Sequence, residues 1–291
     1  MNPPGTARDA ERGERRESLF FILVVLAMTA IAYGPMIAAV LQYSARTTQA
    51  VNAFLLLGFA FLDAFRSVRK TQAFRPAIQA RGLLLFALSC GVLALASFFS
   101  LWPLAVLGLC LNVGAVLAFC FGPAGVNPFT PALAGLGATV GLLVFVPQAD
   151  RALRLLAGVL SGRVLGWLGL RAELALSPDP FQVVLVVEKG AGVFNVAPEC
   201  NGFGILLSVV VLTVILALRR RVRGVLLLPA VIVAVILGLA FNTARIVAIT
   251  LATLRTEIPY GLIHEGLGTT VYLAALALVY GLTRMLPTSR R

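Results

Sequence analysis

The chain has 291 residues, of which 59% are apolar and only 12% charged, about half the charged share of an ordinary soluble domain. With a mean hydropathy of +0.95, it has too little polar side chain to coat a water-soluble fold of this size, which excludes a soluble globular protein. The net charge of +12 comes from basic residues dispersed in short loops between apolar runs, with no stacking aromatics among them. That pattern argues against nucleic acid as a partner and reads as a set of membrane-topology signals.

A membrane helix takes about 20 mostly apolar residues to cross the hydrocarbon layer. Runs approaching that length occupy residues 18–41, 49–65, 82–99, 101–121, 131–147, 202–218, 224–241 and 266–283. The first follows Arg15 and Arg16 but is far longer than the 7–15 apolar residues typical of a cleaved signal, so it reads as a membrane helix. The second is short and ends near Asp63, and the fifth is bounded by Pro131 and Pro147. The expected fold class is an all-α polytopic membrane protein of about eight transmembrane helices, carrying a small external insertion with an interfacial helix and a hairpin.

Basic residues provide a check on orientation. With the N-terminus in the cytoplasm, the inner segments hold 16 of the 24 Lys and Arg residues, including Arg66, Arg69 and Lys70 in one loop and Arg219, Arg220, Arg221 and Arg223 in another. Inner enrichment is what the positive-inside rule expects, so both termini read as cytoplasmic. Residues 1–17 and 286–291 are then cytoplasmic tails around a single integral membrane domain, 18–285.

The long connection, about 148–201, lies outside in this arrangement. From Arg151 to Leu176 it mixes Arg151, Arg154, Arg163 and Arg171 with Leu and Val at helix-like spacing, which predicts an interfacial helix. Gly158, Gly162 and Gly166 recur every fourth residue, a pattern that permits close helix packing but is also ordinary membrane composition. After Ser177-Pro178-Asp179-Pro180, the β-branched run Phe181 to Val187 is too short to span; with turn residues at 188–192 and a return strand at 193–196 it predicts a hairpin.

That hairpin delivers the chain to Pro198-Glu199-Cys200-Asn201-Gly202, just before the sixth run. Cys90, Cys110 and Cys120 lie within apolar runs and read as packing residues. Cys200 stands at the outer boundary with no second outer cysteine to pair with, which makes it a candidate nucleophile. The one histidine of the chain, His264, precedes the last run on the same side, and histidine is the commonest general acid or base near neutral pH. Between them, Asn242-Thr243-Ala244-Arg245-Ile246 sets an arginine at the outer end of the seventh run. Such an arginine is commonly a snorkelling anchor, yet a charge at the membrane margin also marks function. Three reactive side-chain types thus fall on one membrane face. Residues 243–254 are apolar but too short to cross alone, and either extend the seventh helix or fold back along the surface.

Cys-Asn-Gly at a helix start, Asn-x-x-Arg-Ile about forty residues on, and His with a glycine four residues later before the final helix together resemble the exosortase/archaeosortase family. The resemblance is most specific over 196–270, the candidate active-site region, and the helix layout agrees over roughly 18–285. It implies a prokaryotic cytoplasmic-membrane enzyme, acting at the outer face on exported proteins that bear a C-terminal sorting signal and transmembrane helix. It further implies Cys200, Arg245 and His264 as a catalytic triad, with no cofactor. Many members have Ser or Thr where this chain has Asn201, which bears on the signal recognised. The chain reads as the core enzyme, without an appended C-terminal domain.

The chemistry follows from the side chains themselves. A thiolate at Cys200 is favoured by a nearby permanent guanidinium such as Arg245, and would attack a peptide carbonyl to form a thioester. His264 would protonate the leaving amine and then activate the incoming nucleophile. Arg245 would stabilise either the thiolate or the oxyanion. Asn242, one helical turn before Arg245, orients it or caps a helix end; Glu199 and Glu265 adjoin the nucleophile and the base and are either orienting groups or solvated acids. Water as acceptor makes a peptidase, an amine a transpeptidase. A metal site built from Cys200, His264, Glu199 and Glu265 fits no familiar zinc spacing, so no metal is expected. The rival reading is a membrane transporter or assembly scaffold for export of cell-surface material. It predicts ionisable residues deep within several helices, whereas the runs are nearly free of them. Besides the exported substrates, the expected partner is membrane lipid.

Overall fold

A computed structural model describes residues 5–45, 48–71, 74, 76–176, 183–187, 192–196 and 202–289. Eight α-helices run in chain order among the described residues: α1 (Gly5–Ala45), α2 (Thr48–Thr71), α3 (Ala80–Phe98), α4 (Trp102–Val126), α5 (Thr130–Trp167), α6 (Phe203–Arg219), α7 (Leu227–Arg255) and α8 (Tyr260–Met285). Each holds most of one of the apolar runs. Among the described residues five segments are long and apolar enough to cross a membrane: Gly13–Ala38, Ala80–Phe98, Pro103–Gly122, Gly224–Arg255 and Tyr260–Met285. These five cover α1, α3, α4, α7 and α8, and α6, with 17 residues, is a shorter apolar helix, so the expected count of about eight crossings is not established by length and composition. Residues 243–254 continue α7 to Arg255 as one 29-residue helix.

The chain divides into two compact units, one of Met1–Arg46 with Phe54–Val144, the other of Thr47–Ala53 with Phe145–Arg291. In the first, α3 and α4 form a hairpin against which α1 lies. Lipid tails are as apolar as leucine, so such helices associate through close contact and polar bonds more than by the hydrophobic effect. Tyr33 of α1 illustrates both: its hydroxyl lies 3.1 Å from Ser89 Oγ of α3, which in turn donates to the Gly108 carbonyl of α4 at 2.9 Å. A Cβ at Gly108 would stand 2.7 Å from the Tyr33 hydroxyl, so only glycine admits the tyrosine there. Deeper on the same face, Thr29 Oγ1 donates to Asn112 Oδ1 at 2.7 Å, and Phe119 packs edge-on to Phe21. Of the three cysteines in these runs, Cys110 and Cys120 are half-buried and Cys90 is exposed, so the packing role expected for Cys90 does not hold.

In the second unit α6 is the most enclosed element, with α7 and α8 packed on it. Gly238 lets α7 approach α6 closely: a Cβ there would lie 3.0 Å from Leu206 Cα. The connection before α6 differs from its expected form. α5 passes through Pro147 and continues to Trp167, and Gly169, at φ 81, reverses the chain. Residues 172–176, expected to continue an interfacial helix, instead form strand β1 (Ala172–Leu176). With β2 (Val183–Val187) and β3 (Gly192–Val196) it makes an antiparallel sheet of order β1-β2-β3, larger by one strand than the expected hairpin. Leu185 and Val187 pack with Ala157 and Leu165 of α5 and with Ile246 and Val247 of α7, so the sheet braces the second half of α7. Gly162 serves this contact, facing Leu185 and the Ala172 carbonyl, while an added Cβ at Gly166 would meet nothing. Near the same helix end Arg154 is buried and paired with Asp150 one turn earlier.

Candidate functional site

Short connections make α6, α7 and α8 successive antiparallel neighbours, so the start of α6, the latter part of α7 and the start of α8 share one end of the unit. Arg245 lies 18 residues beyond the start of α7, about 27 Å at 1.5 Å per residue. That is close to the ~30 Å hydrocarbon thickness, so Arg245 and the arginine-rich turn 219–223 stand at opposite ends of the helices.

At the first of these ends, Arg245 Nη2 is 3.1 Å from His264 Nε2. A guanidinium has donors only, so the imidazole nitrogen accepts. His264 is therefore neutral in this arrangement, with its proton on Nδ1, a tautomer assigned from the hydrogen bond. Arg245 is 3% exposed and Asn242 1%; a guanidinium so enclosed is costly unless its surroundings are arranged for it. His264 is half-buried, and the ring of Tyr260, one turn earlier on α8, lies 5.6 Å from it, tilted by 33°.

Two glycines shape the pocket around these groups. Gly268 is one turn after His264, and a Cβ there would come to 3.1 Å from Arg245 Nε and 3.2 Å from Nη2. Its lack of a side chain is what lets the guanidinium lie along α8. Gly202 caps the start of α6 at φ 78, ψ −1, a left-handed conformation open to glycine at little cost. A Cβ on it would stand 2.6 Å from the amide of Asn242. The backbone that leads into α6 is thus pressed against Asn242, one turn from Arg245.

Of the residues picked out in the sequence, Arg245 and His264 are in direct contact, Asn242 is buried beside Gly202, and Glu265 is exposed on α8. Cys200, Glu199 and Asn201 lie outside the described residues. Among the described residues no three His, Cys, Asp or Glu side chains gather as a metal site would require. Sequence reasoning passed over Tyr260 and assigned no role to Gly268. The signals were present in the four-residue spacings Tyr260-x-x-x-His264 and His264-x-x-x-Gly268, which share a helix face.

A buried arginine bonded to a half-buried histidine at one end of three packed helices, in a chain with several apolar spans, defines a multi-pass membrane protein with a polar site at the margin of its helices. The chain belongs to the transmembrane exosortase family (Exosortase_EpsH), whose model matches residues 44–281. No curated protein and no solved structure matches it.

Proposed function

We propose that this protein is a membrane cysteine peptidase or transpeptidase that cleaves C-terminal sorting signals of exported proteins through a thioester on Cys200. The carrying observation is the 3.1 Å contact between Arg245 and His264 within the family's matched span. The position of Gly202 supports the third member: Cys200 precedes it by two residues, and at 3.8 Å between consecutive Cα atoms the tether is at most about 7.6 Å.

In the proposed cycle, neutral His264 gives up its hydrogen bond from Arg245 as Nε2 takes the thiol proton of Cys200, and the permanent charge of Arg245 favours the thiolate. The sulfur adds to the scissile carbonyl, the C–N bond breaks, and the imidazolium returns its proton to the leaving amine. A guanidinium beside an imidazolium repels it, so the proton is readily passed on. Water or an amine then loses a proton to His264 as it attacks the thioester, and thiol and acyl product are released. Arg245 supports the oxyanion in both additions.

The proposal includes eight crossings, with α2, α5 and α6 added to the five apolar spans, both termini in the cytoplasm and the site at the outer face of the cytoplasmic membrane. A scissile bond would then lie where a substrate's own C-terminal helix emerges. The test compares exported and membrane proteins of host cells carrying the wild-type protein or Cys200→Ala, with C-termini mapped by mass spectrometry. A set of proteins keeping a C-terminal membrane helix only with the variant supports the proposal. Unchanged C-termini with the variant present at normal level would leave the transporter or scaffold reading in its place.

A further inference from the structure

The end of the second unit opposite the Arg–His pair carries a second built feature. An apolar cleft of about 320 Å³ opens between α7 and α8, lined by Leu226, Pro229, Val233, Leu237, Leu282 and Leu286 among others. A methylene occupies about the space of a water, ~30 Å³, so the cleft takes roughly ten chain carbons. Arginines flank its lining residues in the chain. Arg221 and Arg223 are exposed on the turn that leads into Leu226, and Arg284 is exposed two residues after Leu282, its guanidinium 5.5 Å from the Tyr280 ring.

This turn is held in place. Arg220 donates to the Thr283 carbonyl of α8 at 2.6 Å, fastening the turn to the far wall of the cleft. The Ser289 amide donates to the Arg221 carbonyl at 2.9 Å, and Val222 bridges to Thr288, so the chain after α8 closes over the turn. Arg221 itself sits at φ 53, at the position following a helix where glycine or asparagine is the usual occupant. An arginine there works against its backbone preference, and such departures point to a use for the side chain. The countercharge does not come from the helices around the cleft: residues 203–256 and 266–289 contain no Asp or Glu.

We propose that this cleft binds one anionic phospholipid, with an acyl chain laid between α7 and α8 and the phosphate held by Arg221 and Arg223, with Arg284 alongside. Basic pockets between membrane helices suit anionic headgroups, and a neutral zwitterionic lipid would fill the apolar cleft without matching these arginines. The site is independent of the proposed catalysis, so its test does not depend on enzyme activity.

The experiment is native mass spectrometry of the full chain released from bilayers of equal phosphatidylglycerol and phosphatidylcholine with identical acyl chains. Wild type is expected to retain phosphatidylglycerol at least about fivefold over phosphatidylcholine. Arg221→Asn with Arg223→Gln, the asparagine chosen because it tolerates the left-handed backbone, is expected to bring the two to parity. The Arg221→Lys/Arg223→Lys variant should keep the preference, which separates charge loss from misfolding. Ala230→Phe, which fills the cleft but keeps both arginines, is expected to lose the retained lipid. Equal retention of the two lipids by wild type would overturn the proposal, as would a preference surviving in the neutral variant or in Ala230→Phe. Displacement of the lipid by millimolar glycerol phosphate alone would also overturn it, because the site would then be one for a soluble phosphate.

Discussion

Gly268→Ala tests whether the contact between α7 and α8 at the pair is needed for processing. The added methyl would stand 3.1 Å from Arg245 Nε and 3.2 Å from Nη2, inside ordinary van der Waals contact, so the guanidinium must retreat by a few tenths of an ångström. The same Nη2 holds His264 at 3.1 Å, and a retreat of that size carries the bond toward the distance at which hydrogen bonds cease to count. A hydrogen bond to a charged group contributes about 1.5–3 kcal/mol. Its loss corresponds to roughly a 10- to 150-fold fall in processing rate at about 1.36 kcal/mol per tenfold. Gly266→Ala is the internal control: it lies on the same helix, and a Cβ there meets nothing within 4 Å. Both substitutions share the helix-propensity gain of up to about 1 kcal/mol, so the difference between them isolates the contact. The assay follows loss of a C-terminal epitope from a co-expressed substrate in host membranes, at matched enzyme levels. Equal processing by the two variants would refute the reasoning.

Three further outcomes follow from the same geometry. Arg245→Lys should cost at least about tenfold in processing, because an ammonium is a compact point charge without the planar fork that reaches His264, although net charge is kept; processing at the wild-type rate would remove the guanidinium's role. Gly202→Ala meets both the left-handed φ of 78 and the Asn242 amide, so Asn242→Gly should relieve only the clash, leaving about 1–3 kcal/mol of backbone strain, readable as partial recovery of thermal stability in detergent. Asp150→Ala leaves the buried Arg154 without its carboxylate partner and should destabilise by about 3–5 kcal/mol, with Asp150→Ala/Arg154→Leu recovering most of it in the same melting assay.

The helices were legible because a run of apolar residues near membrane length has few alternatives, and each run falls mainly on one helix. Their number of crossings was less so, because helix ends do not follow the apolar runs: α5 continues past Pro147 to Trp167, and α6 has only 17 residues. Residues 172–176 show where local preference loses. Ala-Glu-Leu-Ala-Leu is a run of good helix formers, yet it pairs with the β-branched Val183–Val187 because that strand offers unpaired backbone and an apolar face against α5 and α7. At the site, the scarcity of polar groups singled out His264 and Arg245, since a near-apolar chain with one histidine leaves few candidates. Their contact was not legible, because it depends on how α7 and α8 are rotated against each other. The guanidinium's place along α8 needs the absence of a side chain at Gly268, whose consequence appears only once the neighbouring helix is in place.

The central claim is that Cys200 carries the acyl group, and the most direct measurement is its capture. Purified protein is mixed with a peptide spanning a substrate's sorting signal and membrane helix, quenched in acid, digested and analysed by mass spectrometry. The account expects an acyl adduct on the Cys200 peptide that neutral hydroxylamine removes as a thioester would be removed, and that His264→Ala accumulates if formed because deacylation lacks its base. Cleavage of the peptide at an undiminished rate by Cys200→Ala would contradict the account outright.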